Sequence, residues 1–196
     1  MILSRMFFRE KLQNGFSTPE VILSIFLVSV GMVAIIAVMT SSLRYSYQNQ
    51  DVIIATALAQ EGLELVRNIR DNDFADGGTG FPASMFDRRD RYCRTDWNDT
   101  QVRCRRNDWD NVATPTRYDL QLATGLYNHG GPGQGQGEYS RYLYIEYDDT
   151  VGQEKALVRS FVVWGGGRVP PDDGSSSQCT TVNSCVFLET ILTSWK

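Results

Sequence analysis

The run from Val21 to Met39 holds nineteen residues without one charge, and it limits what the rest of the chain can be. At ~1.5 Å per residue it makes a helix close to the ~30 Å hydrocarbon core of a bilayer. Thr18 is suited to cap that helix. Pro19 suits its first position, where a missing N–H leaves nothing unsatisfied, and Glu20 complements the positive end of the dipole. An ionisable side chain at the mouth of a membrane-spanning helix is expensive, so Glu20 calls for a partner.

No strong stop follows Met39. Thr40 to Tyr47 is polar yet compatible with a helix. Ile54, Leu58, Gly62, Leu65 and Ile69 then recur at spacings of 4, 4, 3 and 4, one face of an α-helix. Gln60, Glu64, Arg67, Asn68 and Asp71 fill much of the remainder. The spacing predicts one helix from about Thr18 to Asn72, roughly 80 Å long, that stops before Gly77-Gly78. Its first half is apolar on all sides; its second half is amphipathic, as a helix lying on a sheet must be. Gly31 and Gly62 each weaken it by about 1 kcal/mol relative to alanine.

Charge separates the two ends. Met1 to Gly15 sets Arg5, Arg9 and Lys11 against Glu10, a surplus of +2 in a chain of net charge −4, so the residues beyond carry −6. The positive-inside rule keeps the basic end in the cytoplasm and sends everything past Met39 outward. Ala57-Leu58-Ala59 looks like a signal cleavage site but lies far past the apolar run, within the helical pattern. An acidic body without a basic stripe argues against nucleic acid as a partner. The single histidine, His129, makes imidazole catalysis or a His-rich metal site a poor fit, and its glycine-rich surroundings suggest an exposed, idle side chain.

The cysteines form two close couples, Cys93 with Cys104 and Cys179 with Cys185. Four cysteines permit three pairings, and the sequence does not choose among them. The spacings are too wide for C-x-x-C zinc knuckles. Disulfides are the expectation, within each couple, and with them an oxidising compartment outside the cytoplasm.

Phe74 to Thr114 is rich in Gly, Asp, Arg and Asn. Arg88, Arg89, Arg91, Arg94, Arg103, Arg105 and Arg106 alternate with aspartates, which reads as a solvated loop closed by a disulfide. The last third reads as strands: Tyr118 to Leu122, Tyr142 to Tyr147, Leu157 to Trp164 and Val186 to Leu192 all alternate. Asp148 to Gln153 suits a hairpin turn, and Gly125 to Gly137 and Gly165 to Ser177 suit loops. The expected fold class is α+β, a long helix whose amphipathic half covers an antiparallel sheet of about four strands.

Gly15, then Phe16, then Glu20 directly before an uncharged apolar run resembles the N-terminus of type IV pilins and pseudopilins. The likeness is close from Gly15 to Met39. The helix through Ala59-Gln60-Glu61-Gly62-Leu63-Glu64 and the late strands are similar to that family, minor pilins above all, in layout. The resemblance implies a leader peptide over 1–15, a transmembrane and filament-core half-helix over 16–43, and an extracytoplasmic pilin-like domain over 44–196. A prepilin peptidase would cut between Gly15 and Phe16 and methylate the new Phe16 amine. Gly15 offers that peptidase no side chain to obstruct its cleft. The freed amine, with an ordinary pKa of about 8, is largely cationic at neutral pH. Glu20 would meet the Phe16 amine of a neighbouring subunit and set axial register in a core of low dielectric.

The implied partners are other pilin or pseudopilin subunits, the prepilin peptidase, the inner-membrane platform protein with its assembly machinery, and the membrane. The implied location is a single pass through the inner membrane, with the C-terminal domain outside the cytoplasm, and then the pilus or pseudopilus. Many pilins carry a proline inside the apolar run; this one has Gly31 and none.

Other motifs carry less. Asp71, Asp73 and Asp76 before Gly77 miss the EF-hand spacing and have no matching downstream Glu. Gly131 to Gly137 lacks the Lys-Ser/Thr of a phosphate loop. No catalytic, cofactor-binding or metal-binding set emerges. The expectation is a structural, non-enzymatic minor pilin or pseudopilin of a type IV pilus or type II secretion pseudopilus. The alternative is a signal-anchored extracytoplasmic domain, either enzymatic or binding carbohydrate through Trp97, Trp109 and Tyr127.

Overall fold

A computed structural model describes residues 15–78, 81, 91–105, 118–123, 125–129, 137–148, 154–166 and 176–193. The chain divides into two units, Met1–Tyr47 and Gln48–Lys196, and the long helix α1 (Thr18–Ala75) contributes to both. In the first unit every described residue is exposed. Four hydroxyls there, including both within the apolar run, bond to the helix itself: Ser24 donates to the Glu20 carbonyl at 2.8 Å, Ser29 to Phe26 at 2.8 Å, Thr40 to Ile36 at 2.8 Å and Ser41 to Ala37 at 3.0 Å. An apolar surface with its few polar groups spent internally is what hydrocarbon tolerates. This stretch has the length and composition of a membrane span.

The second unit is α+β, as expected, but its sheet has seven strands among the described residues rather than four. They are β1 (Arg91–Arg94), β2 (Arg103–Arg105), β3 (Asp119–Ala123), β4 (Leu126–His129), β5 (Tyr139–Asp148), β6 (Lys155–Trp164) and β7 (Cys185–Thr193). β3, β5, β6 and β7 are the four that alternation predicted. β1 and β2 fall in the arginine-rich stretch, and β4 in the glycine-rich one. Each of the three has only three or four residues, too few to show a period. Cys93 lies directly opposite Cys104 in the β1–β2 ladder, so a covalent bond holds strands that apolar alternation does not. All of the predicted turn from Asp148 to Gln153 but Asp148 itself, most of the 125–137 loop and of the 165–177 loop, Trp109, and the leader before Gly15 lie outside the described residues.

β5 organises the sheet. One edge pairs with β6 along all ten residues, from Tyr139 opposite Trp164 to Asp148 opposite Lys155, and β7 continues beyond β6. The other edge is shared. β1 takes Leu143 to Ile145, whereas β3 takes Tyr139 and Ser140. Arg141 stands at the seam between them.

The pleat sends Tyr139, Arg141, Leu143 and Ile145 to the same face as Val158, Ser160, Val162 and Trp164. α1 covers that face with Ala55, Leu58, Ala59, Gly62, Leu63, Val66 and Ile69. The buried stripe is rotated from the predicted one. Ile54 and Leu65 are half-buried at its flanks, and small residues such as Ala55 and Ala59 occupy its centre. Close approach is the reason. A Cβ at Gly62 would lie 2.6 Å from Ser160 Oγ, 3.1 Å from Arg141 Cδ and 3.2 Å from Leu143 Cδ2. Gly62→Leu should therefore destabilise this unit by more than the ~1–3 kcal/mol usual for overpacking. An unchanged urea midpoint would contradict that contact.

The opposite face carries a smaller aromatic cluster in which Tyr118 meets Tyr142 at 4.6 Å and Phe161 meets Phe187 at 5.7 Å between ring centroids. Cys179 and Cys185 join it and are bonded to each other. α1 runs past the predicted end near Asn72 to Ala75. Gly77 adopts φ +84°, its N–H donates to Phe74 at 3.0 Å, and the Gly78 N–H donates to Asp73 at 2.8 Å. That is a Schellman closure, which uses carbonyls the last turn leaves open.

Candidate functional site

Two places merit description, the N-terminal segment and the polar seam at Arg141. Gly15, Phe16 and Ser17 precede α1 in non-helical, exposed backbone. The Val21 N–H donates to the Ser17 carbonyl at 3.2 Å and the Glu20 N–H to the same oxygen at 3.0 Å. Ser17 thus holds the cap position expected for Thr18, and Pro19 moves one place inward. Its absent N–H still falls among the four that a helix start leaves open. Glu20 sits in the first turn, exposed, where a carboxylate complements the helix dipole. Nothing lies within 4 Å of the point a Gly15 Cβ would occupy. Among the described residues no cation pairs with the Glu20 carboxylate. The structure therefore brings Gly15, Phe16 and Glu20 together as an open segment: a reachable peptide bond, then an unpaired acid.

The seam is the most polar part of the interior. The Arg141 side chain is 0% exposed. Its Nη2 donates to the Thr95 carbonyl at 2.9 Å and its Nη1 to the Leu58 carbonyl on α1 at 3.3 Å. Glu61 Oε2 lies 3.4 Å from Nη1. The Arg141 N–H donates to the Tyr118 carbonyl at 3.0 Å. One residue thus ties the helix, the end of β1, and the approach to β3 to the central strand. Among the described residues, Arg141 Nε, Thr95 Oγ1 and Ser160 Oγ have no hydrogen-bond partner. Burial lowers the guanidinium pKa from its ordinary value, and the Glu61 and Asp96 carboxylates oppose that drop.

His129 closes the seam from the other side. Its ring is buried, against the expectation of an exposed and idle side chain, because β4 delivers it beneath the 93–104 hairpin. Nδ1 lies 2.7 Å from Asp96 Oδ1 and Nε2 lies 3.3 Å from the Arg141 carbonyl oxygen. The His129 main-chain N–H donates to the same Asp96 oxygen at 2.9 Å. Burial pushes the Asp96 pKa up, but hydrogen bonds and charge from His129, with the charge of Arg141, bring it net below the ordinary carboxylate range. Asp119 behaves oppositely. Burial raises its pKa despite hydrogen bonds from Ser140, at 2.5 Å, and from Gly137. An aspartate–histidine pair can activate a nucleophile only if the second ring nitrogen faces one. Here it faces a carbonyl, so the arrangement holds backbone together rather than prepares a reaction.

Alternation offered one clue to the seam. Arg141 has the same parity as Tyr139, Leu143 and Ile145, so a charge stands where apolar residues point inward. His129 and Asp96 gave no such signal, since they are 33 residues apart. Of the remaining candidates, Trp97 is 57% exposed. Tyr127 instead packs edge-on to Tyr139 with centroids 6.1 Å apart and is half-buried, which removes it from an aromatic platform. Cys93–Cys104 and Cys179–Cys185 are both disulfides, which fits an oxidising compartment. Among the described residues no group of three or more His, Cys, Asp or Glu is placed to hold a metal ion. No family model, curated protein or solved structure matches the chain.

Proposed function

We propose that this chain is a structural subunit of the type IV pilin or pseudopilin kind, without enzymatic activity, made as a precursor with the leader 1–15. The observation that carries the reading is Glu20 in the first turn of a helix that is exposed on every side from Thr18 to Gln50, directly behind Gly15-Phe16. Such a helix needs lipid around it, or other helices like it. Once the leader is removed, the cationic Phe16 amine of one subunit is a fitting partner for the Glu20 carboxylate of another. The membrane, the prepilin peptidase, the platform protein and further subunits are the partners this reading requires. The hairpin held by the Cys93–Cys104 disulfide favours a minor subunit over a repeating major one. Pilus and type II secretion pseudopilus both remain within the proposal.

The test is mass spectrometry of the N-terminus, on chain expressed with and without a prepilin peptidase. With the peptidase the chain should begin at N-methylated Phe16; without it, at Met1. An intact Met1 in cells that hold active peptidase would remove the proposal. It would favour the rival reading, an uncleaved anchor carrying a carbohydrate-binding or enzymatic domain, for which the exposed Trp97 is the supporting feature.

A further inference from the structure

Asn98-Asp99-Thr100 has the form of an N-linked glycan acceptor, an asparagine with a hydroxyl residue two places on and no proline between. No other asparagine in the sequence has serine or threonine at that spacing. A three-residue motif recurs by chance, and what sets this copy apart is its place in the fold. It lies in the turn that joins β1 to β2. The feet of that turn, Thr95 and Val102, are buried, whereas Asn98 and Thr100 are exposed. The Asp99 N–H donates to the Asp96 carbonyl at 3.0 Å, and the Asp96 N–H donates to Asp99 Oδ2 at 3.1 Å. Among the described residues neither the Asn98 amide nor the Thr100 hydroxyl has a hydrogen-bond partner. Asp99, between them, is turned inward. Its side chain is 7% exposed, and its Oδ1 accepts from Arg103 Nη2 at 2.6 Å. A glycan donor is a lipid diphosphate, which a free carboxylate beside the acceptor would repel; Arg103 offsets that charge.

We propose that Asn98 is an N-glycosylation site, which the folded 93–104 hairpin presents to a membrane oligosaccharyltransferase outside the cytoplasm. The disulfide that closes this hairpin belongs to an oxidising compartment, the side on which such transferases act. The site therefore leans on the disulfide and not on the subunit reading above. In the transfer, Asn98 Nδ2 bonds to C1 of the first sugar as the C1–O bond to the lipid diphosphate breaks. The diphosphate leaves with the electron pair, and one amide proton passes to a carboxylate of the transferase. Trp97, exposed beside the acceptor, offers an aromatic face on which the attached sugar ring can rest. Asp96 supplies the acidic residue two places earlier that some of these transferases also demand. Its carboxylate is held by His129 at 2.7 Å, so the folded turn offers the plain motif.

The test incubates the purified full chain in detergent micelles, disulfides intact, with a single-subunit oligosaccharyltransferase that reads the plain motif. The donor is a lipid-diphosphate glycan of known mass. Intact-mass spectrometry should show the gain of one glycan, and fragmentation should place it on Asn98. Asn98→Gln and Thr100→Ala should gain nothing. Initial rates on the native chain and on the reduced, alkylated chain should agree within about tenfold, since a site that had to unfold first would be slowed by its opening equilibrium. No gain on the parent chain, while a control peptide in the same reaction is modified, would overturn the proposal. So would a glycan on Asn98→Gln, or modification confined to the reduced chain.

Discussion

Arg141→Ala should destabilise the second unit by about 3–5 kcal/mol, the range for breaking a buried charge pair on one side. The loss has two sources. The Thr95 carbonyl loses its donor in a place water does not reach, at about 1–3 kcal/mol, and the Leu58 carbonyl, which also accepts within α1, loses its second one. Asp96 and Glu61 lose a compensating cation. Glu61 matters less of the two, since its side chain is 39% exposed and its 3.4 Å contact is long. Folded domains retain only about 5–15 kcal/mol in all, so much of this unit's stability would go. Equilibrium urea unfolding followed by tryptophan fluorescence reads the change. A loss below ~1 kcal/mol would mean that the seam is not the tie described above.

Glu20→Gln should leave membrane insertion and leader removal intact while preventing incorporation into a filament. Glutamine keeps the shape and the helix start but cannot neutralise a cationic amine. In an apolar filament core the Phe16 amine of the next subunit would then be buried without its counter-charge, at a cost of about 3–5 kcal/mol per contact. That corresponds to roughly a hundredfold to several-thousandfold weaker docking. The measurement compares sheared filament fractions with membrane fractions by immunoblot. Equal amounts of Glu20→Gln and parent chain in the filaments would defeat the proposed pairing, even with Phe16 correctly methylated.

The long helix could be read from its residues, because an apolar run of nineteen and the helical spacing beyond it are both plain in the sequence. The four longer strands were equally plain, since five to ten residues leave room for alternation. What escaped was short or nonlocal. β1 and β2 are built from arginine and tyrosine around a cysteine, and their pairing comes from the disulfide. β4 is four residues that pass as loop. Of the predicted helix face Leu58, Gly62 and Ile69 are buried, while the small Ala55 and Ala59 at its true centre carry too little hydrophobicity to mark it. A glycine has no hydrophobicity to contribute, yet here it marks the line of closest approach. The His129 site depends on three segments meeting, and no local pattern records that.

Both disulfides join cysteines only 11 and 6 positions apart, and this bears on how the protein matures. The first loop is small enough to oxidise before the central strand β5 has been made, whereas the second lies beyond β5 in the chain and can close only after it. Wrong partners are disfavoured by distance alone, so little reshuffling by an isomerase is called for. The guanidinium at the middle of the sheet has no such freedom: its acceptors come from Thr95, just after β1, and from Leu58 and Glu61 on the helix, and it must wait for all of them. Maturation should therefore proceed from the first covalent clip to polar docking, with the second clip free to follow.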